Sequence, residues 1–185
     1  MPIREQAIER AKKIKCIILD VDGVLTDGGI YTAPDGSELY KPFFARDGLI
    51  ISLARKVGVT TAVITGRASS IVENRMRELR IDLVYQGSLD KRAAYADIKG
   101  RTGLGDAEIA YIGDDIVDLP ILRRVGLPCA VGDAVPEVRD AAEIIAAAPG
   151  GRGAVREIYE IILKTQGLWE RILTAFQNDA DGIAQ

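Results

Sequence analysis

The sequence of 185 residues contains no histidine, only two cysteines and few aromatic side chains. Without histidine, the chain cannot form a Ser-His-Asp or Cys-His catalytic arrangement, and most zinc hydrolase sites are excluded as well. Neither cysteine starts a cysteine-phosphatase loop, because the position six residues after each cysteine is Asp22 or Val135 and not arginine. Catalytic chemistry must therefore rely on carboxylates, lysine, arginine, hydroxyl groups or a hard metal ion.

The sequence also lacks a long apolar run and a strong excess of either charge. No apolar stretch approaches the roughly 20 residues of a transmembrane helix. The net charge is −3, with acidic and basic residues interspersed, so we expect binding neither to nucleic acid nor to a membrane. Residues 1–13 are typical of a charged helix and lack the apolar core of a signal peptide. We therefore expect a cytoplasmic protein.

Short, near-continuous runs of Val, Ile, Leu and Ala predict strands that are buried on both faces, with helical stretches between them. The predicted strands are Lys15–Asp20, Thr60–Thr65, Leu83–Gln86, Glu108–Gly113, Pro128–Val131 and Glu143–Ala146. The predicted helices are Asp47–Val57, Ser69–Arg80, Lys91–Thr102, Val117–Arg124, Val135–Ala141 and Val155–Phe176. This alternation predicts a doubly wound, Rossmann-like α/β fold with a parallel sheet, as a single domain over residues 1–177.

One segment, residues 28–44, interrupts this pattern directly after the first strand. Two short extended runs flank Pro34-Asp35-Gly36-Ser37, which is a typical turn sequence. The segment therefore predicts an inserted β-hairpin that is too short to form a domain. Residues 153–185 are assigned to a C-terminal helix and tail, in which residues 178–185 are expected to fray.

Chemically reactive side chains follow the predicted strands at their carboxyl ends, which is where open α/β sheets bind ligands. The segments concerned are Asp20-Val21-Asp22-Gly23, Thr65-Gly66-Arg67 and Gly113-Asp114-Asp115, and Lys91 opens a helix after a further strand. Asp20 and Asp22 are two residues apart in an extended segment, so their side chains point the same way. Two carboxylates facing one cleft repel each other, and a magnesium ion would offset that repulsion with Asp114 as a further oxygen ligand.

These residue types suit the transfer of a phosphoryl group. Asp20 can attack phosphorus, and Asp22 can carry the proton for the leaving oxygen and then activate water. Thr65 offers a hydroxyl group, and the backbone amides around Gly66 can donate to phosphate oxygens. Lys91 places a positive charge where negative charge builds up during the reaction.

Each feature has a plainer interpretation when it is taken alone. An Asp-x-Asp segment is usually a solvated turn, and Gly-Asp-Asp is often a turn with a helix N-cap. A single Thr-Gly-Arg, lysine or helical arginine indicates little. The combination favours a catalytic site, because all of these residues fall at or just beyond strand ends on one edge of one sheet.

Four motifs in this order resemble those of the haloacid dehalogenase superfamily: residues 20–26, residues 64–67, Lys91 and residues 112–118. The resemblance implies that Asp20 is the nucleophile and a magnesium ligand. It implies that Asp22 is the acid/base and binds the metal through its backbone carbonyl, and that Asp114 is the third protein ligand. Thr65 and Lys91 would hold the phosphate. Asp115 and Asp118 would support the site or the fold, with direct participation of Asp118 as the alternative.

The chain lacks room for a cap domain, since only the hairpin, one strand and single helices separate the motifs. Nearly the whole chain is similar to the capless 3-deoxy-D-manno-octulosonate 8-phosphate (KDO 8-phosphate) phosphatases, including the segment Pro149-Gly150-Gly151-Arg152-Gly153. That resemblance implies a homotetramer whose neighbouring subunits cover the active site, and a role in lipopolysaccharide precursor synthesis. It places Asp22, Arg46, Asp47, Gly48, Arg67, Arg75 and Arg152 in contact with a sugar-acid phosphate, with Arg152 reaching a neighbour's pocket.

Three alternatives remain open from the sequence. The substrate could be a nine-carbon acid phosphate, although the glycine-rich tail and the turn at residues 46–48 favour the eight-carbon acid. A non-catalytic, sugar-binding paralogue is disfavoured because the aspartates, Thr65 and Lys91 are all intact. Phosphotransfer to a second sugar is disfavoured because related mutases use a cap.

Overall fold

The computed structural model describes residues 5–177, and its centre is a sheet of six parallel strands. The strands of the chain are β1 (Cys16–Leu19), β2 (Tyr31–Thr32), β3 (Glu38–Tyr40), β4 (Thr60–Ile64), β5 (Leu83–Tyr85), β6 (Ile109–Gly113), β7 (Leu127–Ala130) and β8 (Ile144–Ile145). The sheet order is β5-β4-β1-β6-β7-β8. Every residue of β1 and β6 is buried, as expected for central strands of a parallel sheet. The predicted doubly wound α/β fold is confirmed.

Helices precede, connect and follow the strands. They are α1 (Glu5–Ala11), α2 (Ala45–Lys56), α3 (Ser70–Glu78), α4 (Lys91–Thr102), α5 (Leu119–Leu122), α6 (Pro136–Ala141), α7 (Ala154–Thr165) and α8 (Leu168–Gln177). The predicted helix at residues 117–124 begins as a 3₁₀ turn, Ile116–Asp118, and continues as the short α5. Within residues 5–177, no helix is long and apolar enough to cross a membrane.

The prediction of one continuous helix over Val155–Phe176 is wrong. The helix ends after Thr165, and Gly167 adopts a left-handed φ of 69° before α8 begins. Glycine accepts this conformation without the clash of a Cβ atom, so it ends a helix readily. The Gln166 side chain stabilises the turn between α7 and α8 by donating to the backbone carbonyls of Ala11 at 2.8 Å and Ile14 at 2.7 Å. The predicted fraying of residues 178–185 lies outside the described residues.

The predicted hairpin is present as the antiparallel pair β2 and β3, inserted between β1 and α2. The rings of Tyr31 and Tyr40 stack across it with centroids 4.4 Å apart. Gly36 takes a positive φ of 83° in the connecting turn. On its outer surface Leu39 is 58% exposed, which leaves apolar area uncovered on this chain. The part of the chain that the structure describes contains no cap domain.

The glycine-rich loop before α7 packs directly on the loop after β1. The amide of Gly151 donates to the carbonyl oxygen of Val24 at 2.9 Å. A Cβ atom at Gly150 would overlap the carbonyl oxygen of Gly23, so only glycine allows the two backbones to approach this closely. This contact fixes one side of the loop that carries Asp20 and Asp22.

We expect Gly150→Ala to lower the free energy of unfolding by about 1 to 3 kcal/mol, because the added methyl group must push two backbones apart. Gly100→Ala is the matched control: Gly100 is exposed within α4, and a Cβ atom added there would have no other atom within 4 Å. The free energy of unfolding of that variant should rise by roughly 0.5 to 1 kcal/mol, because alanine has a higher helix propensity than glycine. Urea denaturation measures both values, and equal stability of the two variants would contradict the close-approach argument.

Candidate active site

Three of the predicted site residues follow three neighbouring strands. Asp20 follows β1, Thr65 follows β4 and Asp114 follows β6, and β1 lies between the other two strands. Parallel strands end at the same edge of a sheet, so these side chains converge there. Asp20 and Thr65 are buried, and Asp114 is partly buried. Lys91 is the first residue of α4, which follows the edge strand β5.

The ammonium group of Lys91 is the centre of the buried polar network at this edge. Nζ lies 3.0 Å from Oδ2 of Asp20 and donates to Oδ1 of Asp118 at 2.6 Å and to the Tyr111 hydroxyl at 2.9 Å. These contacts use the three donors of the ammonium group. Burial alone would lower the pKa of Lys91, but the carboxylates of Asp20 and Asp118 outweigh it and raise the pKa. Lys91 is therefore protonated at neutral pH.

Asp118 is fully buried, and both of its oxygens are occupied. Oδ1 accepts from Lys91 and from the Tyr111 hydroxyl at 2.6 Å, while Oδ2 accepts the amides of Asp114 at 2.9 Å and Asp115 at 3.4 Å. Asp118 thus ties the loop after β6 to Lys91. This geometry agrees with the expected supporting role of Asp118 and leaves it no oxygen free for another ligand.

The Asp114 carboxylate has the features of a cation ligand. Carboxylate oxygens of Asp20, Asp114 and Asp118 lie within 4.8 Å of one another. Oδ1 of Asp114 is buried and has no hydrogen-bond partner among residues 5–177, which is unfavourable for a charged oxygen. Gly23 makes the space for this side chain, since a Cβ atom there would overlap its Oδ2.

The raised pKa values of Asp114 and Asp20 also indicate a cation site. Burial, reinforced by the charges of Asp20 and Asp118, raises the pKa of Asp114 to about 8. Burial also raises the pKa of Asp20 to about 6, although Lys91 opposes that shift. Ionised carboxylates are therefore unfavourable here without a further cation, and an all-oxygen donor set suits Mg²⁺. The residues present fit a magnesium ion held by Asp20 and Asp114.

The side chain of Asp22 is directed to the hairpin and lies outside the carboxylate group of Asp20 and Asp114. Oδ1 of Asp22 accepts a hydrogen bond from Nζ of Lys41, and Oδ2 lies 3.9 Å from Nε of Arg67. Sequence reasoning missed Lys41 as a site residue. The two residues are 19 positions apart, and only the fold-back of the hairpin brings them together.

Arg75 and Gly48, two of the residues predicted to bind substrate, lie in direct contact. The guanidinium of Arg75 packs so tightly on Gly48 of α2 that a Cβ atom there would overlap it. It also lies over the Phe43 ring, 5.8 Å from the centroid, and pairs with Glu78 at 2.7 Å. Its Nε is buried without a hydrogen-bond partner in the described part of the chain. Arg46 is exposed in the first turn of α2.

Two other predicted substrate residues serve contacts within the chain. Asp47 is buried, and its oxygens accept the amides of Arg156 at 2.8 Å and Gly153 at 3.3 Å. Contact of Asp47 with substrate stays a prediction, and the structure shows its side chain capping the start of α7. The cause is the open N-terminus of α7, whose free amides attract a carboxylate. Arg152 is exposed, and its Nη2 lies 3.5 Å from Oδ2 of Asp27.

Comparisons with known proteins agree with this geometry. Residues 75–158 match the family model of haloacid dehalogenase-like hydrolases. The 3-deoxy-D-manno-octulosonate 8-phosphate phosphatase of Escherichia coli strain K12 is 42% identical over 166 residues, which cover 90% of this chain and 88% of that protein.

Solved structures show the same similarity. The crystal structure of the 3-deoxy-D-manno-octulosonate 8-phosphate phosphatase from Yersinia pestis has a TM-score of 0.89 at 41% identity, covering 91% of each chain. The same phosphatase from Moraxella catarrhalis, in complex with magnesium ion, phosphate ion and KDO, has a TM-score of 0.89 at 37% identity and covers 92% of this chain and 98% of that one.

We expect Asp114→Asn to abolish most of the thermal stabilisation by Mg²⁺. At a concentration 100 times its Kd, a ligand stabilises the wild-type protein by about 2.7 kcal/mol, or roughly 5 to 10 °C for a chain of this size. In EDTA at pH 7 the variant should melt above the wild type, because folding raises the pKa of Asp114 to about 8 and the cost of protonating this carboxyl is gone. Differential scanning fluorimetry with and without Mg²⁺ measures both effects.

Asp115→Asn is the matched control for that experiment. Asp115 is exposed, and its Oδ1 accepts the amide of Ile116, a contact that asparagine can also make. Its response to Mg²⁺ should equal that of the wild type. Equal responses of the two variants would show that Asp114 does not bind the ion.

Proposed function

Because the chain belongs to the KDO 8-phosphate phosphatase family of haloacid dehalogenase-like hydrolases, we propose that it hydrolyses KDO 8-phosphate to KDO and phosphate with Mg²⁺ as cofactor. The observation that carries the proposal is the pairing of Asp20 with Lys91 beside the unpartnered oxygen of Asp114. This pairing supports a nucleophilic carboxylate next to a cation site. The proposed setting is lipopolysaccharide precursor synthesis in the cytoplasm.

The proposed mechanism has two steps. In the first, an oxygen of Asp20 bonds to phosphorus while the ester P–O bond breaks, and Asp22 gives its proton to the leaving sugar oxygen. In the second, Asp22 takes a proton from water, the water oxygen bonds to phosphorus, and the bond between phosphorus and Asp20 breaks. A bound Mg²⁺ would neutralise charge on the phosphate and the carboxylates.

Several chain residues would support these steps by position and charge. Lys91 holds Asp20 by one oxygen and adds positive charge where the phosphoryl group is transferred. The amide of Val21 donates to the other oxygen, Oδ1, at 2.6 Å, so the orientation of the carboxylate is fixed. Thr65 and the backbone amide of Gly66 follow β4 at the same edge and would bind the phosphate.

The substrate carries two anionic groups, a phosphate and a carboxylate, and the proposal assigns arginines to them. Arg67 is 55% exposed beside Asp22, so its guanidinium is accessible to a ligand. Arg75 lies beside Gly48 with its side chain partly exposed. Arginine binds carboxylates and phosphates through paired donors, which suits this substrate class. Arg46 and Gly48 complete the proposed pocket.

The proposal includes a homotetramer in which neighbouring subunits close the active site. The chain has no cap among residues 5–177, and phosphoryl transfer benefits from exclusion of water. The hairpin exposes Leu39 and Tyr40, and the rim near the site exposes Leu89, which is 74% accessible. A neighbouring subunit would cover these side chains, and Arg152 would extend towards the neighbour's pocket.

We expect phosphate release from KDO 8-phosphate to exceed that from a nine-carbon acid 9-phosphate in kcat/KM, measured by a phosphate-release assay with Mg²⁺. Asp20→Asn should reduce kcat by more than about 1000-fold, because the amide cannot form the aspartyl-phosphate. Its circular dichroism spectrum and melting curve should stay close to those of the wild type. A preference for the nine-carbon ester would overturn the substrate, and an active Asp20→Asn would overturn the mechanism.

We expect light scattering on a sizing column to give the mass of four chains. Leu39→Glu should dissociate the assembly and reduce activity, because a charge would be buried against the neighbouring subunit. Ile8→Glu places the same charge on an apolar residue of α1 that is 37% exposed; it is the control and should leave the mass unchanged. A fully active monomer would contradict the shared active site.

A further inference from the structure

Lys41 is buried although it belongs to the hairpin and to none of the motifs that carry the proposed chemistry. Its side chain is 1% exposed. Nζ donates to Oδ1 of Asp22 and lies 3.2 Å from Oε1 of Glu38. A buried ammonium group is strongly unfavourable unless it is paired, and here two carboxylates pair with it. The burial of Lys41 therefore depends on its contact with the proposed acid/base.

The position of Lys41 is fixed from several sides. Pro42 follows it and restricts its backbone to an extended conformation. Its partner Glu38 accepts a hydrogen bond from the Ser69 hydroxyl, which also caps α3 at the amide of Val72. Lys41 is thus linked through Glu38 to the start of α3, and its ammonium group donates to Asp22.

We propose that Lys41 is a positioning residue that orients the Asp22 carboxylate for proton transfer. This inference rests on the proposed function and assigns a further residue to it. Lys41 occupies Oδ1 of Asp22, so the remaining oxygen, Oδ2, faces Arg67 at 3.9 Å. Oδ2 is then the oxygen that gives the proton to the leaving group and later takes one from water.

The second carboxylate makes this arrangement compatible with a proton on Asp22. Burial opposes ionisation of Glu38, but hydrogen bonds from Ser69 and Lys41 outweigh it and lower the pKa of Glu38. Glu38 therefore remains an anion and balances the charge of Lys41 when Asp22 is protonated. The ammonium group keeps its place through both steps, and its role is geometric.

The chemistry offers a readout that separates positioning from general support of the fold. An aliphatic alcohol leaves only with a proton, whereas p-nitrophenolate leaves without one. When the bond from Asp20 to phosphorus forms and the ester P–O bond breaks, the electron pair stays on the leaving oxygen. In an aliphatic ester that oxygen takes the proton from Asp22. A misplaced Asp22 should slow the transfer from aliphatic esters and spare the aryl ester.

The experiment measures kcat/KM for p-nitrophenyl phosphate and for an aliphatic phosphate monoester in the wild type and in Lys41→Met. For the aliphatic ester we expect a loss of about 100-fold, within the usual contribution of acid catalysis. For the aryl ester kcat/KM should stay within about 3-fold of the wild type, since it reports steps only up to transfer to Asp20. Inactive protein lowers kcat/KM for both esters by the same factor. The ratio of the two values on one protein sample is therefore independent of the inactive fraction.

Two further variants serve as control and rescue. Lys15→Met removes an exposed lysine that pairs with Glu108 at 2.7 Å. This variant should leave kcat/KM unchanged for both esters. Lys41→Gln keeps a hydrogen-bond donor and should recover part of the aliphatic-ester activity relative to Lys41→Met. If Lys41→Met does not fold, Lys41→Gln carries the test, with a selective though smaller loss on the aliphatic ester.

Equal losses on both esters, or no loss on either, would overturn the positioning role of Lys41. These outcomes differ from a failure of the proposed function. If the wild type does not hydrolyse KDO 8-phosphate, the substrate assignment fails while the comparison of simple esters still decides the role of Lys41. If Asp20→Asn hydrolyses both esters like the wild type, the aspartyl-phosphate mechanism and the role of Lys41 fail together.

Discussion

The ammonium group of Lys91 lies inside the protein, and the geometry of the catalytic edge depends on it. Asp20 and Asp118 are buried there, and without a cation between them they would repel each other and the neighbouring Asp114. Lys91 draws the first two together and leaves one oxygen of Asp114 without a partner among residues 5–177. One buried lysine thus fixes the proposed nucleophile and leaves an oxygen free for a metal ion.

The hairpin contains a second buried lysine that pairs with two carboxylates. Lys41 lies between Asp22 and Glu38, as Lys91 lies between Asp20 and Asp118. The two aspartates of the Asp-x-Asp segment are therefore directed to different lysines, which separates the proposed nucleophile from the proposed acid/base. An insertion too short to form a cap domain still contributes to the site, because it delivers a charged side chain into the interior.

The sequence predicted the parallel sheet, the hairpin and the convergence of reactive residues at one edge, because strand periodicity and turn chemistry are local signals. It did not predict contacts that depend on distant segments packing together. The pairing of Lys41 with Asp22 needs the hairpin to fold back, and the capping of α7 by Asp47 joins residues more than 100 positions apart. The break at Gly167 was missed because the apolar pattern continues across it.

The central claim is that Asp20 and Asp114 hold a divalent cation while Asp118 does not. Anomalous diffraction from a crystal grown with Mn²⁺, which accepts the same oxygen ligands as Mg²⁺, tests it directly. We expect one metal peak bound by side-chain oxygens of Asp20 and Asp114 and by the backbone carbonyl of Asp22, with Asp118 still bonded to Lys91. A peak coordinated by Asp118, or no peak beside Asp20 at saturating Mn²⁺, would contradict it.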